Sequence, residues 1–303
     1  MKVLVLGSTG MLGSMVAKVI PDEWEVLLTA RCDPPMPYDH VNQRWRRFAV
    51  DHMAWQETLK ELADGCDWII NCLGATKPLM DEGAAYTVNA SFPKTLEETV
   101  QAPVIHASTD CVFRPGERAT ESRLPTADDP YGKSKGVADR DLSSTTILRC
   151  SIVGPECRVP ARHLLGSVVE GRIHEGYAHH MWNGVTTLVW ARMAVGIVKG
   201  LRWADWDSPL HVIPADSCSK DRLVSTIAQA FGMRGLWIEA RYGDVVDMTL
   251  DTELPEAIED LWEDAGYAKA QTIEEMIWDL ADFCRVEQWP PSGVEGFRYW
   301  GKK

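Results

Sequence analysis

The chain has 303 residues, 45% hydrophobic and 25% charged, ordinary globular values that exclude disorder as the dominant state. Its 44 acidic against 31 basic residues leave a net charge of −13, which argues against nucleic-acid and membrane-surface binding because such a surface repels phosphate backbones and anionic lipid. No run approaches the ~18 apolar residues that span a bilayer, and eight scattered cysteines without a C-x-x-C pair read as reduced core thiols of a cytoplasmic protein, with no metal site.

At this length about two lobes are expected. The apolar start runs straight into a glycine-rich turn, with neither a charged n-region nor a small-residue cleavage site, so it reads as a first strand over residues 2–6. A helix follows over 11–20 and a second strand over 25–29. Residues 31–45 contain three prolines (Pro34, Pro35 and Pro37) and read as a loop. Further strands are expected over 46–50, 67–71, 104–107 and 146–149, with helices over 54–63, 82–100 and 131–142 between them. This alternation predicts βαβ units and a doubly wound parallel sheet of the Rossmann type. Beyond residue 153 the rhythm breaks. Helices over 188–201, 219–231 and 272–283, with short strands near 211–213 and 236–239, describe a smaller mixed α/β lobe. The expected division is a dinucleotide-binding domain over 1–155, completed by elements within 183–202, and a mainly substrate-binding lobe over 156–303. The tail from Gln288 reads as an extended surface segment, and the 13 tryptophans as core and subunit-contact packing.

The first strand ends in Gly7-Ser8-Thr9-Gly10-Met11-Leu12-Gly13, a G-x-x-G-x-x-G pattern that opens a helix. The glycines permit a tight turn, backbone approach to a pyrophosphate and close helix–strand contact, and the helix N-terminus favours an anion. The end of strand two discriminates between dinucleotides: a carboxylate accepts from a ribose 2′-hydroxyl, an arginine accommodates a 2′-phosphate. Arg31 stands there, which favours NADP; the competing reading is an arginine on a solvated loop. Asp51 is placed to accept from the adenine amino group, or is a surface aspartate.

Tyr131 and Lys135 form a Y-x-x-x-K pair whose i,i+4 spacing puts phenol and ammonium on one helix face. A nearby ammonium stabilises phenolate and lowers a tyrosine pKa from its ordinary ~10 toward neutrality. Thr109, at the carboxyl end of the fifth strand, can donate to a substrate carbonyl beside Tyr131; otherwise it is a turn residue bonded to backbone. His179-His180 lacks a third ligand, Asp128-Asp129 reads as a turn, and the charges over 256–263 as a solvated helix face.

Together G-S-T-G-M-L-G (7–13), N-C-L-G-A-T (71–76), S-T-D-C-V-F (108–113), Y-G-K-S-K (131–135) and I-L-R-C-S-I-V-G (147–154) resemble the extended short-chain dehydrogenase/reductases. More narrowly they are similar to the dTDP-4-dehydrorhamnose reductase group of sugar-nucleotide-modifying enzymes. The resemblance implies NADPH-dependent reduction of a nucleotide-linked 4-keto-6-deoxysugar by a catalytic set that maps onto Thr109, Tyr131 and Lys135. It implies NADP(H) contacts at Gly7, Thr9, Gly10, Met11, Leu12, Arg31, Asp51, Cys72, Leu73, Gly74, Tyr131 and Lys135, with Asn89 supporting the lysine. The substrate contacts it suggests are Thr109, Asp110, Asn183 and Thr187, in a protein that can form a homodimer. Two positions depart from the group: Cys111 replaces the tyrosine usual in rhamnose-forming members, and Arg114-Pro115-Gly116 replaces an acidic-glycine turn. Two alternatives accompany the reductase. One is an NDP-sugar epimerase or dehydratase, which normally keeps NAD bound and against which Arg31 argues. The other is a non-catalytic NADP-binding regulatory subunit like the methionine adenosyltransferase β-subunit.

Overall fold

The computed structural model describes residues 1–32, 42–51, 54–76, 82–157, 161–201, 209–233 and 235–290. Its first half contains strands β1 (Lys2–Leu6), β2 (Glu25–Ala30), β3 (Gln43–Arg47), β4 (Trp68–Asn71), β5 (Val104–Ser108) and β6 (Thr145–Arg149). Between them run helices α1 (Met11–Val19), α2 (Trp55–Ala63), α3 (Glu82–Tyr86), α4 (Phe92–Thr99) and α5 (Pro130–Asp141), with a π-helical turn over Thr87–Ser91 joining α3 to α4. The second half supplies β7 (Ile152–Val153), α6 (Leu164–Val169), β8 (Glu175–Tyr177), β9 (His180–Trp182), β10 (Val185–Thr186) and α7 (Thr187–Gly200). It continues through β11 (Leu210–His211), β12 (Cys218–Ser219), α8 (Lys220–Ala230), β13 (Glu239–Arg241), β14 (Val246–Asp247), α9 (Pro255–Asp264) and α10 (Ile273–Val286).

Seven strands form one parallel sheet in the order β11-β6-β5-β4-β1-β2-β3. The strand order reverses between β1 and β4, so the crevice beyond their carboxyl ends is where such sheets place ligands. The side chains alternate as a sheet covered on both faces requires. Val3 and Val5 join the core that holds α1 and α7, whereas Leu4 and Leu6 pack with Leu59, Leu62, Phe92 and Leu96 of α2 and α4. The first of these cores continues into the second half through Leu223, Ile227, Met276 and Ile277, so the lobes share one apolar interior. Trp182, Trp190 and Trp262 are wholly interior.

One expectation is corrected. The third strand lies over Gln43–Arg47 rather than 46–50, because its register is set by pairing Val26 with Gln43 through Ala30 with Arg47. Phe48 and Val50, which drew the sequence reading onward, leave the sheet to pack with α2. The seventh strand of the sheet is β11, and α7, within the 183–202 stretch, packs against α1. On α9 the charged side chains of Glu256, Glu259, Asp260 and Glu263 are exposed, as the sequence predicts, while Ile258, Leu261 and Trp262 are buried along the inner side. The proline-rich part of the 31–45 loop and the tail beyond Pro290 lie outside the described residues. Among the described residues no helix is long and apolar enough to cross a membrane, and no three His, Cys, Asp or Glu side chains converge as a metal site.

Candidate active site

The glycine turn is held between two strand ends. Gly7 sits at φ +80°, and a Cβ there would come within 2.9 Å of Leu73 Cδ2 and 3.3 Å of the Cys72 carbonyl, so the exits of β1 and β4 touch only through glycine. Its N–H donates to Thr29 Oγ1 at 3.1 Å, and Ser8 Oγ donates to the Thr29 carbonyl at 2.9 Å, tying the turn to β2. Gly10 caps α1 without any side-chain hydrogen bond, leaving the first-turn N–H groups for an anion. Thr9, Gly10 and Met11 are half-buried at this mouth, whereas the Leu12 side chain belongs to the core, so only its backbone can face a ligand. Cys72 and Leu73 are half-buried and Gly74 is exposed on the facing loop. These features fit a dinucleotide diphosphate.

At the far end Arg31 is exposed just past β2. The sequence did not single out its neighbour Arg47, which ends β3 and donates from Nε to the Arg31 carbonyl at 3.1 Å. Beside it opens a cavity of about 430 Å³ lined by Arg47, Phe48, Ala49, Asp51, Trp55 and Thr58. Asp51 therefore borders a space between β3 and α2 of a size that can take a heterocycle.

Thr109, Tyr131 and Lys135 converge at the carboxyl end of β5. Thr109 begins a single 3-10 turn (Asp110–Val112), where its Oγ1 accepts from the Cys111 N–H at 3.2 Å and donates to Asp110 Oδ1 at 3.0 Å. It is also hydrogen-bonded to the Tyr131 phenol, so its turn-forming and phenol-facing roles coexist. Helix α5 starts against this turn because residue 132 is glycine: a Cβ there would lie 2.1 Å from the Cys111 carbonyl oxygen. Asp129 caps the helix, accepting from the N–H groups of Tyr131 and Gly132 at 3.1 and 3.3 Å.

Lys135 is buried, and Nζ donates to the Ala107 carbonyl at 3.0 Å. A Cβ on Gly74 would lie 3.5 Å from that ammonium, so the lysine closely approaches the loop that follows β4. Burial pulls its pKa down to about 8, opposed by the charge of Asp139. The tyrosine differs from expectation. Burial raises its pKa above the ordinary phenol range, with the neighbouring Cys111 adding to the rise and the Thr109 hydrogen bond opposing it. Desolvation outweighs any lowering by Lys135, so Tyr131 is held as the neutral, proton-bearing form. Asn89, set by the π-helical turn, brackets Ala75 through both its backbone groups at 2.9 and 3.0 Å and donates to Ser134 Oγ at 3.1 Å. Its support reaches the residue before Lys135 rather than the ammonium.

Two expected substrate residues are held by partners within the fold. Asn183 is half-buried and joins two segments: its Nδ2 donates to the Leu250 carbonyl at 2.8 Å and its Oδ1 accepts from the Leu250 N–H at 2.9 Å. Thr187 is fully interior, filling the space where a Cβ on Gly154 would collide at 2.0 Å from its Oγ1. Asp110 is close to the site but buried, and its carboxyl group is raised above the usual range chiefly by burial.

Beneath the set lies a buried chain the sequence did not reveal. Ser108 Oγ donates to Asp139 Oδ1 at 2.6 Å, Asp139 Oδ2 accepts from Arg149 Nε at 2.9 Å, and Arg149 Nη1 meets His211 Nε2 at 2.8 Å. His211 Nδ1 reaches the Asp251 carbonyl at 2.7 Å, and burial beside Arg149 lowers its pKa to about 4, so the imidazole is neutral. Arg149 therefore supplies the proton shared with Nε2, and Nδ1–H donates to the carbonyl. Only the Lys135-to-Asp139 spacing, one turn of α5, could have hinted at this chain.

The parallel sheet, the glycine turn at its switch point and the Tyr–Lys helix define a Rossmann-type α/β protein. Residues 3–153 match the NAD dependent epimerase/dehydratase family, and the chain belongs to it. No curated protein matches by sequence. Among solved structures, a dTDP-4-dehydrorhamnose reductase from Clostridium acetobutylicum is 17% identical, covering 94% of this chain and 100% of that one, with a TM-score of 0.68. The corresponding reductase from Bacillus anthracis, in complex with NADP, is 15% identical over 92% of this chain and 98% of its own, at a TM-score of 0.69. A UDP-glucuronic acid 4-epimerase from Bacillus cereus with NAD is also 15% identical, covering 97% and 100% of the two chains at 0.69. At these identities the likeness is one of fold.

Proposed function

We propose that the protein reduces a nucleotide-linked 4-keto-6-deoxysugar with NADPH. The observation that carries this reading is the joined pair of Thr109 and Tyr131 hydroxyls at the end of β5, with Lys135 enclosed behind them and aimed at Gly74. Gly7, the α1 N-terminus, the Cys72–Gly74 loop and Arg31 would hold the dinucleotide, which when bound supplies a hydride from its nicotinamide. Thr109 would turn its one hydroxyl proton from Asp110 to the carbonyl oxygen and so polarise it. Tyr131, neutral at pH 7 because it is buried, would give its proton to that oxygen as negative charge develops. Lys135 would donate to the ribose while its carbonyl partner Ala107 fixes its position. Arg31, with Arg47 beside it, favours a 2′-phosphate and hence NADP over NAD.

The test follows NADPH absorbance with dTDP-4-keto-6-deoxyglucose and a panel of related keto-sugars. Oxidation dependent on the keto-sugar is expected; none across the panel would overturn the reading. Epimerisation or dehydration on the same residues gives a different signature: NAD carried through purification and turnover without added cofactor.

A further inference from the structure

Lys220 is the first residue of α8, in the second lobe, where β12 brings it beside β9. Its ammonium lies 5.0 Å from the centroid of the Trp182 ring. Across the cleft it is in electrostatic reach of Asp110 and Cys111, the two residues that follow Thr109. Those same two residues act on the Tyr131 phenol, so Lys220 borders the reacting end of the site from the lobe opposite to it.

The environment is unusual for an ammonium. Lys220 is half-buried, yet among the described residues it makes no hydrogen bond or ion pair, although it has three N–H donors. Asp110, its nearest compensating charge, directs its carboxylate to Thr109 and Cys111 instead. Burial accordingly pulls the lysine below its ordinary range, with Asp110, Cys218 and Cys111 opposing. An ammonium already stripped of much of its water gains more from a ligand acceptor than an exposed one does.

We propose that Lys220 is a specificity-determining residue that donates a hydrogen bond to an oxygen on the hexose of the substrate. The proposal rests on the nucleotide-sugar reading above. The acceptor is on the sugar and not the diphosphate, because Lys220 acts on Asp110 and Cys111 of the turn that follows Thr109, where the reacting carbon would sit. A carboxylate on the hexose would be the stronger acceptor and a hydroxyl the weaker.

Calorimetric titration of the full-length protein with UDP, UDP-glucose and UDP-glucuronate, and with dTDP and dTDP-glucose, tests this without requiring turnover. In Lys220→Met, affinity for the nucleotide-sugars should fall about tenfold or more, the scale of a hydrogen bond to a charged group, while affinity for UDP or dTDP alone is unchanged. A larger loss for UDP-glucuronate than for UDP-glucose identifies a carboxylate acceptor, and equal losses a hydroxyl common to both. Lys220→Gln, which keeps a donor and similar length, covers the case in which the methionine variant does not fold and should show an intermediate loss. Unchanged nucleotide-sugar affinity in the folded variants, or an equal fall for the bare nucleotides, would overturn the inference. A parent protein that binds none of the nucleotide-sugars would instead strike at the function itself.

Discussion

The first lobe holds its site residues at the ends of strands four to six residues long, each paired on both sides except at β3. The second lobe works with strands of two or three residues which, apart from β11 at the edge of the main sheet, join into separate two- and three-stranded ribbons. Their polar links differ in the same way. In the first lobe Asp139 and Arg149, both nearly solvent-free, pair at 2.9 Å under the catalytic set. In the second, Arg241 and Glu175 join β13 to β8 as an exposed pair. On the proposed function, a rigid platform for chemistry would face a more loosely specified surface, where substrate choice can vary without disturbing the reaction.

The largest expected effect tests whether the platform is catalytic. Removing only the phenol oxygen in Tyr131→Phe leaves the fold and the dinucleotide cradle in place but removes the proton donor. Turnover of the keto-sugar should drop 10²–10⁴-fold, or ~3–5 kcal/mol of barrier, with NADPH affinity nearly unchanged by fluorescence titration. A parallel loss of NADPH binding would mean that the tyrosine is structural.

The next effect tests the contrast in polar links. Asp139→Ala leaves the Arg149 guanidinium buried beside a neutral imidazole, and breaking such a pair costs about 3–5 kcal/mol in denaturant unfolding. Arg241→Ala should leave the unfolding midpoint where it was, because its pair is solvated. Equal shifts in the two variants would erase the distinction between the lobes.

That contrast also explains what could be read in advance. Parallel strands buried on both faces announce themselves as short apolar runs, so β1, β4 and β5 were legible, and with them the glycine turn and Thr109. The edge strand β3 was misplaced because its sequence, Gln-Arg-Trp-Arg-Arg, carries little apolar signal and its register depends on β2. The Tyr131–Lys135 pair was legible from helical spacing, but the raised phenol pKa was not, since burial is a property of the assembled site. Asn183 and Thr187 were chosen by likeness, and only the assembled fold shows Asn183 half-buried and bonded to Leu250 and Thr187 interior against Gly154. Arg149, His211 and Lys220 come from distant segments that folding alone brings to the site.

The lysine offers a milder test through pH. Its pKa, about 8 in the folded protein, lies below its ordinary value of 10.5, so between those limits the unfolded chain holds more protons. This group's contribution to stability therefore rises with pH across that window. Function should move the other way. NADPH affinity should weaken as pH rises above about 8, by up to tenfold per unit, as the ammonium loses the charge that donates to the ribose. Lys135→Arg, charged throughout, should flatten the profile. Affinity constant from pH 7 to 9.5 in the parent protein would break the assignment of this role.

The smallest effect concerns cofactor choice, which this layout confines to the first lobe. Arg31 is exposed just past β2, where water screens any charge it offers a 2′-phosphate, so a modest gain is expected. NADPH should bind about tenfold more tightly than NADH, a difference of ~1.4 kcal/mol. Arg31→Asp replaces the cation with an acceptor suited to a 2′-hydroxyl and should narrow or reverse the ratio. Arg47→Ala should reduce it less, because Arg47 acts partly by fixing the Arg31 backbone through its 3.1 Å hydrogen bond. Neither change should alter the affinity for a nucleotide-sugar, since both residues lie at the β2–β3 edge, remote from the second lobe. Indistinguishable NADPH and NADH titrations in the parent protein would remove the basis for choosing NADP. A fall in nucleotide-sugar affinity in either variant would show instead that the two lobes do not divide the substrates between them.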